Sequence, residues 1–78
     1  MGIRDTLLDI FKDLQFEAEG IVDSTNLREE LGIDSTEFAE IAVAIEKELS
    51  VVVNDEELNR AQTFGDIVKY VASAPSAM

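Results

Sequence analysis

Seventy-eight residues allow one domain with one small core, and a hydrophobic fraction of 46% marks it as globular. The formal net charge of −11 opposes phosphate backbones and anionic membranes, so nucleic-acid and membrane binding are excluded and electropositive proteins are the natural partners. With neither cysteine nor histidine, the chain lacks a disulfide, a thiolate metal site, a thiol nucleophile and a histidine base, which sets aside most hydrolase mechanisms.

Residues 3–16 carry Ile3, Leu7, Ile10, Phe11 and Leu14 at helical spacing, so the first helix is expected there. Asp5, Asp9 and Asp13 step along it at i, i+4 intervals; a solvated face is the favoured reading over a cation ladder. Met1-Gly2-Ile3-Arg4-Asp5-Thr6 fits the N-myristoylation pattern, but the pattern is short and an ordinary helix start is preferred. No apolar run approaches the roughly 20 residues that span a bilayer, and no signal peptide is visible. A cytosolic protein is expected.

Residues 17–34 form a long connection, expected to be pinned to the core by Ile21, Leu27 and Leu31. Asn26–Leu31 suits a helical turn ended by Gly32. Asp23-Ser24-Thr25-Asn26 lacks the alternating ligands and central glycine of an EF-hand, so no metal site is expected.

Asp34 followed by Glu37 reads as a capping box, with Asp34 as N-cap and Glu37 at N3. Ser35 then stands at N1 with its hydroxyl toward water. A helix N-terminus offers free N–H groups and partial positive charge, so a serine there suits a phosphodiester link. The competing reading makes Ser35 itself the N-cap.

Residues 35–50 form the second helix. Phe38, Ile41, Ala42, Ile45 and Leu49 fall within about 100° of the helical wheel and make its core face. Glu37, Glu40, Ala44 and Glu48 lie beside that face on the exposed side, and Glu46 lies further round. Val51-Val52-Val53 reads as an extended link burying one or two valines, with no second strand to join. Asn54 caps a short helix reaching Ala61, with Glu57 at N3. Thr63 caps the last helix, with Asp66 at N3 and Phe64, Ile67, Val68 and Val71 facing the core. Tyr70 is expected to be half-buried. Ala74-Pro75-Ser76-Ala77-Met78 is a loose tail. The sum is an all-α, four-helix bundle: three main helices, one short helix and a long first loop, ordered over about 3–73.

Leu31-Gly32-Ile33-Asp34-Ser35 resembles the phosphopantetheine attachment site of acyl carrier proteins, commonly Leu-Gly-x-Asp-Ser-Leu. The likeness continues through Glu37, Glu40, Ile41, Ala44, Ile45 and Glu46, then Asp55-Glu56-Glu57 and Thr63-Phe64-Gly65-Asp66-Ile67. It runs from Ile3 to about Val71. The resemblance implies 4′-phosphopantetheine esterified to Ser35 by a phosphopantetheinyl transferase, and a non-catalytic, monomeric carrier of acyl thioesters. It implies contacts with acyl-transferring or condensing enzymes, through basic docking patches, at Asp34, Thr36, Glu37, Glu40, Val43, Ala44, Glu46 and Glu48. Phe38, Ile41, Ala42 and Ile45 match positions that can line an acyl-chain shelter, with core packing as their default role.

Some positions depart from that pattern. Thr36 replaces the usual leucine, Val43 a common methionine, Lys47 a common acid and Asn54 a frequent proline. These departures, with the Thr63-Phe64-Gly65-Asp66 start of the last helix, favour a freestanding carrier of a specialised, polyketide-like pathway over the housekeeping fatty-acid carrier. Two other readings stay open: an aminoacyl carrier of peptidyl or D-alanyl type, and a helical interaction module without phosphopantetheine.

Overall fold

The computed structural model describes residues 2–16 and 19–76. Four helices follow in order: α1 (Ile3–Asp13), α2 (Ser35–Leu49), α3 (Asp55–Leu58) and α4 (Phe64–Ala72). Helix α1 packs on α2 and α4, and α3 packs on α2. The all-α bundle expected from the sequence is the observed fold. Leu7, Ile10 and Phe11 of α1 meet Phe38, Ile41, Ala42 and Ile45 of α2 and Phe64, Ile67 and Val71 of α4 in one core. Phe11 and Phe64 join α1 to α4 edge to face, with ring centroids 5.6 Å apart.

Helix α1 stops at Asp13, three residues short of the periodic run. Gln15 adopts a left-handed conformation (φ 67°), its N–H donates to the Lys12 carbonyl, and the Phe16 N–H donates to the Phe11 carbonyl. This is a Schellman ending with glutamine where glycine is usual. The Phe16 ring closes it by stacking edge-on against Phe11, at 5.8 Å. Gly2 is the N-cap of α1, the ordinary helix start expected for it. No group of three or more acids that could hold a metal ion occurs among the described residues.

The first connection is held by backbone bonds to the α3–α4 link and to the first turn of α4. Leu27 N–H donates to Gln62, Phe64 N–H to Thr25 and Gly65 N–H to Asp23. Leu27 is fully buried, as expected, but Ile21 and Leu31 are only half-buried. Ile33, not anticipated, is the second anchor at 2% exposure. Asn26–Leu31 is a single turn, closed by Glu30 N–H to the Asn26 carbonyl. Gly32 follows at φ 68°, the left-handed bend expected to end it.

Three expectations need correction. Helix α3 ends at Leu58; Arg60 and Ala61 continue only in tight turns, donating to Glu57 and Leu58 three residues back. Asn54 Oδ1 caps the Glu57 N–H as expected, and the Asn54 N–H donates to the Tyr70 hydroxyl at 2.9 Å. The tail through Ser76 is tied down: Val52 N–H donates to the Pro75 carbonyl, and Val51 bridges Ser76 in antiparallel sense. The valine link therefore does find a partner, because α4 returns the chain beside it. Ala77 and Met78 lie outside the described residues. No helix among the described residues is long and apolar enough to cross a membrane.

Candidate functional site

The amino end of α2 is set by its cap. Asp34 is extended (φ −106°, ψ −177°) and its Oδ1 accepts the Glu37 N–H at 2.9 Å. In return the Asp34 N–H donates to Glu37 Oε1 at 3.1 Å, and Phe38 N–H donates to the Asp34 carbonyl. Both halves of the capping box are formed, so Ser35 is not the cap. It occupies N1, exposed, with its hydroxyl unengaged among the described residues. The N–H groups of Ser35 and Thr36 also have no acceptor there, as the first turn of a helix requires. Free donors and the positive end of the helix dipole thus surround an accessible hydroxyl.

This suits a phosphodiester. Its oxygens would meet free N–H groups and partial positive charge at a solvent-open position. The other serines offer less. Ser50 and Ser73 are the C-caps of α2 and α4, where carbonyls and partial negative charge repel a phosphate. Ser24 sits in a loop turn and Ser76 in the bridge to Val51. No histidine stands near Ser35, since the chain has none, and the Asp34 carboxylate is held by the cap. The site presents an exposed hydroxyl at the amino end of α2.

Down α2, Thr36, Glu40, Val43, Glu46 and Glu48 are exposed, as is Asp34. Val43 is among the most exposed large apolar side chains, at 52%. Two residues expected on the open face are less available. Glu37 is half-buried and its carboxylate is engaged in the cap, while Ala44 is half-buried against the core. Phe38, Ile41, Ala42 and Ile45 are each 1% exposed or less and are core residues as the chain stands.

Away from α2, two other charged groups are shifted by their contacts. Arg4 grips Asp23 through Nε and Nη2 at 2.9 and 2.7 Å, and that contact raises the Arg4 pKa. The pair is exposed and contributes little. The Asp66 carboxyl lies below its usual range, because the N–H groups of Gln62 and then Thr63 donate to it.

The sequence reading passed over Arg28. Its guanidinium lies over the Phe38 ring, 4.8 Å from the centroid. Nη1 donates to the Ala61 carbonyl at 3.2 Å, and Nη2 to the Asn59 carbonyl and to Asn59 Oδ1. Its hydrogen-bond acceptors lie more than thirty residues ahead, so no local signal marks it. Compared with known protein families, residues 5–71 match the model described as the phosphopantetheine attachment site.

Proposed function

The chain belongs to the phosphopantetheine attachment family, whose cofactor is held covalently on a serine, and from that premise we propose that Ser35 carries it and that the protein is an acyl carrier of a specialised biosynthetic pathway. The observation that carries the assignment is the position of Ser35: exposed at N1, beside free N–H groups, behind a cap completed by Asp34 and Glu37. When bound, the group supplies a terminal thiol that holds cargo as a thioester.

The chain's own part begins with loading. Ser35 Oγ displaces adenosine 3′,5′-bisphosphate from coenzyme A; a P–O bond to serine forms as the pyrophosphate bond breaks, and the serine proton leaves to a base of the transferase. Asp34 and Glu37 hold the first turn so that this oxygen stays outward. Glu40, Glu46 and Glu48 give the exposed side of α2 a negative field that steers basic docking patches toward Ser35. Val43 adds an apolar contact among them. Thr36, beside the attachment point, offers a small polar surface, which favours enzymes that do not demand a large apolar side chain there. The absence of histidine and cysteine supports a carrier that leaves catalysis to its partners.

The test is incubation with coenzyme A and a broad-specificity transferase, followed by intact mass and peptide mapping. One phosphopantetheine on the Ser35 peptide is expected, and none on Ser35→Ala. A wild-type chain that never gains the group, or a Ser35→Ala chain that still does, overturns the assignment. Glu40→Lys should slow loading, and the wild-type rate should fall with salt as the Debye length shrinks from ~10 Å at 0.1 M to ~3 Å at 1 M. Rates indifferent to both would remove the steering role.

A further inference from the structure

Arg28 occupies an unusual place. It belongs to the first connection, yet it reaches across the line where α2 and α3 meet. One face of its guanidinium covers Phe38 of α2, and its donors hold carbonyls at and beyond the C-terminus of α3. Asn59 adds its side-chain oxygen at 2.8 Å. Arg28 has no carboxylate partner among the described residues, although the chain is strongly acidic. Its partners are a ring and the carbonyl end of a helix, both of which suit a planar cation.

What lies beneath matters as much. Phe38 is 1% exposed, and the same core holds Ile41 and Ile45 from α2 and Leu58 from α3, each fully buried. Phe38 also follows Ser35 by three residues, so the two are neighbours on the helix surface, about 4.5 Å apart along its axis. An apolar chain hung at Ser35 therefore has the apolar interior at Phe38 within reach. Tethering makes that encounter intramolecular, which raises the effective concentration of the chain at the seam. The guanidinium stands over that ring. Its hydrogen bonds are exposed or only partly buried, so water can replace them when they open.

We propose that Arg28 is a latch over the α2–α3 seam that keeps an apolar cargo attached at Ser35 outside the bundle. The inference builds on the reading of Ser35 as the attachment point. With the latch closed, cargo stays in solvent for partner enzymes; with it open, Phe38 can tilt and the seam can admit the chain.

The test avoids dependence on the cofactor. The protein has no cysteine, so Ser35→Cys introduces a sole thiol. Octyl methanethiosulfonate converts it to an octyl disulfide, the thiolate displacing methanesulfinate; the methyl reagent gives a control without a chain. An octyl chain exceeds one helical turn of ~5.4 Å and reaches the seam. Methyl NMR shifts of Ile41, Ile45 and Leu58 read its entry, and those of Ile10 and Ile67 report on α1 and α4. With Arg28 intact, octyl and methyl adducts should give the same core spectrum. With Arg28→Ala, the octyl adduct alone should shift Ile41 and Leu58 and leave Ile10 and Ile67 in place. Equal shifts with and without Arg28, or no shift in a folded Arg28→Ala chain, overturn the latch. Should Arg28→Ala fail to fold, Asn59→Ala removes one anchor and no core side chain; smaller shifts of the same pattern support the latch and their absence overturns it. Since the disulfide replaces the arm, failure to load coenzyme A would refute the carrier reading separately.

Discussion

The two possible registers of the α2 cap differ in which substitution destabilises the chain. With Asp34 as N-cap, Asp34→Ala leaves the Glu37 N–H without its 2.9 Å acceptor, while the return bond from the Asp34 backbone N–H to Glu37 survives. Loss of such a cap costs about 1 kcal/mol, within a range of about 0.5–2. For a domain of this size that is a fall of roughly 4–8 °C in Tm, or of about 1 M in the urea midpoint. One effect opposes it, since removing an acid relieves repulsion in a chain of net charge −11. Asp34→Asn separates the two: it removes the charge, keeps a good cap and should stay near wild type. Ser35→Ala removes an exposed hydroxyl with no partner and should cost within about 0.5 kcal/mol. Urea unfolding followed by far-UV circular dichroism suits a chain without tryptophan. A Ser35→Ala loss equal to or larger than that of Asp34→Ala would refute the cap register, and with it the account of why Ser35 is free.

Other outcomes follow from single contacts. Gly65→Ala, ordinarily favourable within a helix, should destabilise by about 1–3 kcal/mol, because its Cβ would lie 3.0 Å from the Asp23 carbonyl oxygen and push the first connection off α4; a raised melting temperature would contradict that packing. Asp66 contributes stability that is fully present above the ordinary carboxylate pKa of about 3.9 and is lost as pH falls through its depressed folded-state value. The difference in urea midpoint between wild type and Asp66→Ala should therefore be constant near neutrality and shrink below about pH 4; a gap that widens on acidification would reverse the sign of the argument. Thr36→Leu in the loaded form should improve transfer by a primary fatty-acid ketosynthase by up to roughly tenfold to a hundredfold, the worth of burying one leucine at ~1.5–3 kcal/mol. It should bring no gain with the protein's own partner, and unchanged rates with the fatty-acid enzyme at subsaturating carrier would remove Thr36 from partner choice.

The sequence alone determined the features that close within a few residues. Asp34 with Glu37, Thr63 with Asp66 and the Asn54 cap are contacts across three positions, and each forms as read. The core faces of α2 and α4 follow from helical period alone. Together with the Leu-Gly-x-Asp-Ser stretch, these place Ser35 at N1 from local sequence alone. Tertiary structure decided what depends on distant chain. The end of α1 rests on Gln15 accepting a left-handed conformation that few side chains adopt, stabilised by Phe16 folding back on Phe11. Which residues anchor the first connection, Leu27 and Ile33 more than Ile21 and Leu31, depends on its bonds to Gln62 and Phe64. The tail is held because α4 delivers Pro75 to Val52. Arg28 is the clearest case: its acceptors lie 31 and 33 residues onward, so nothing in its neighbours distinguishes it from a solvated arginine. Period and caps are local and so legible, whereas a side chain's partners across the bundle exist only once the helices have packed.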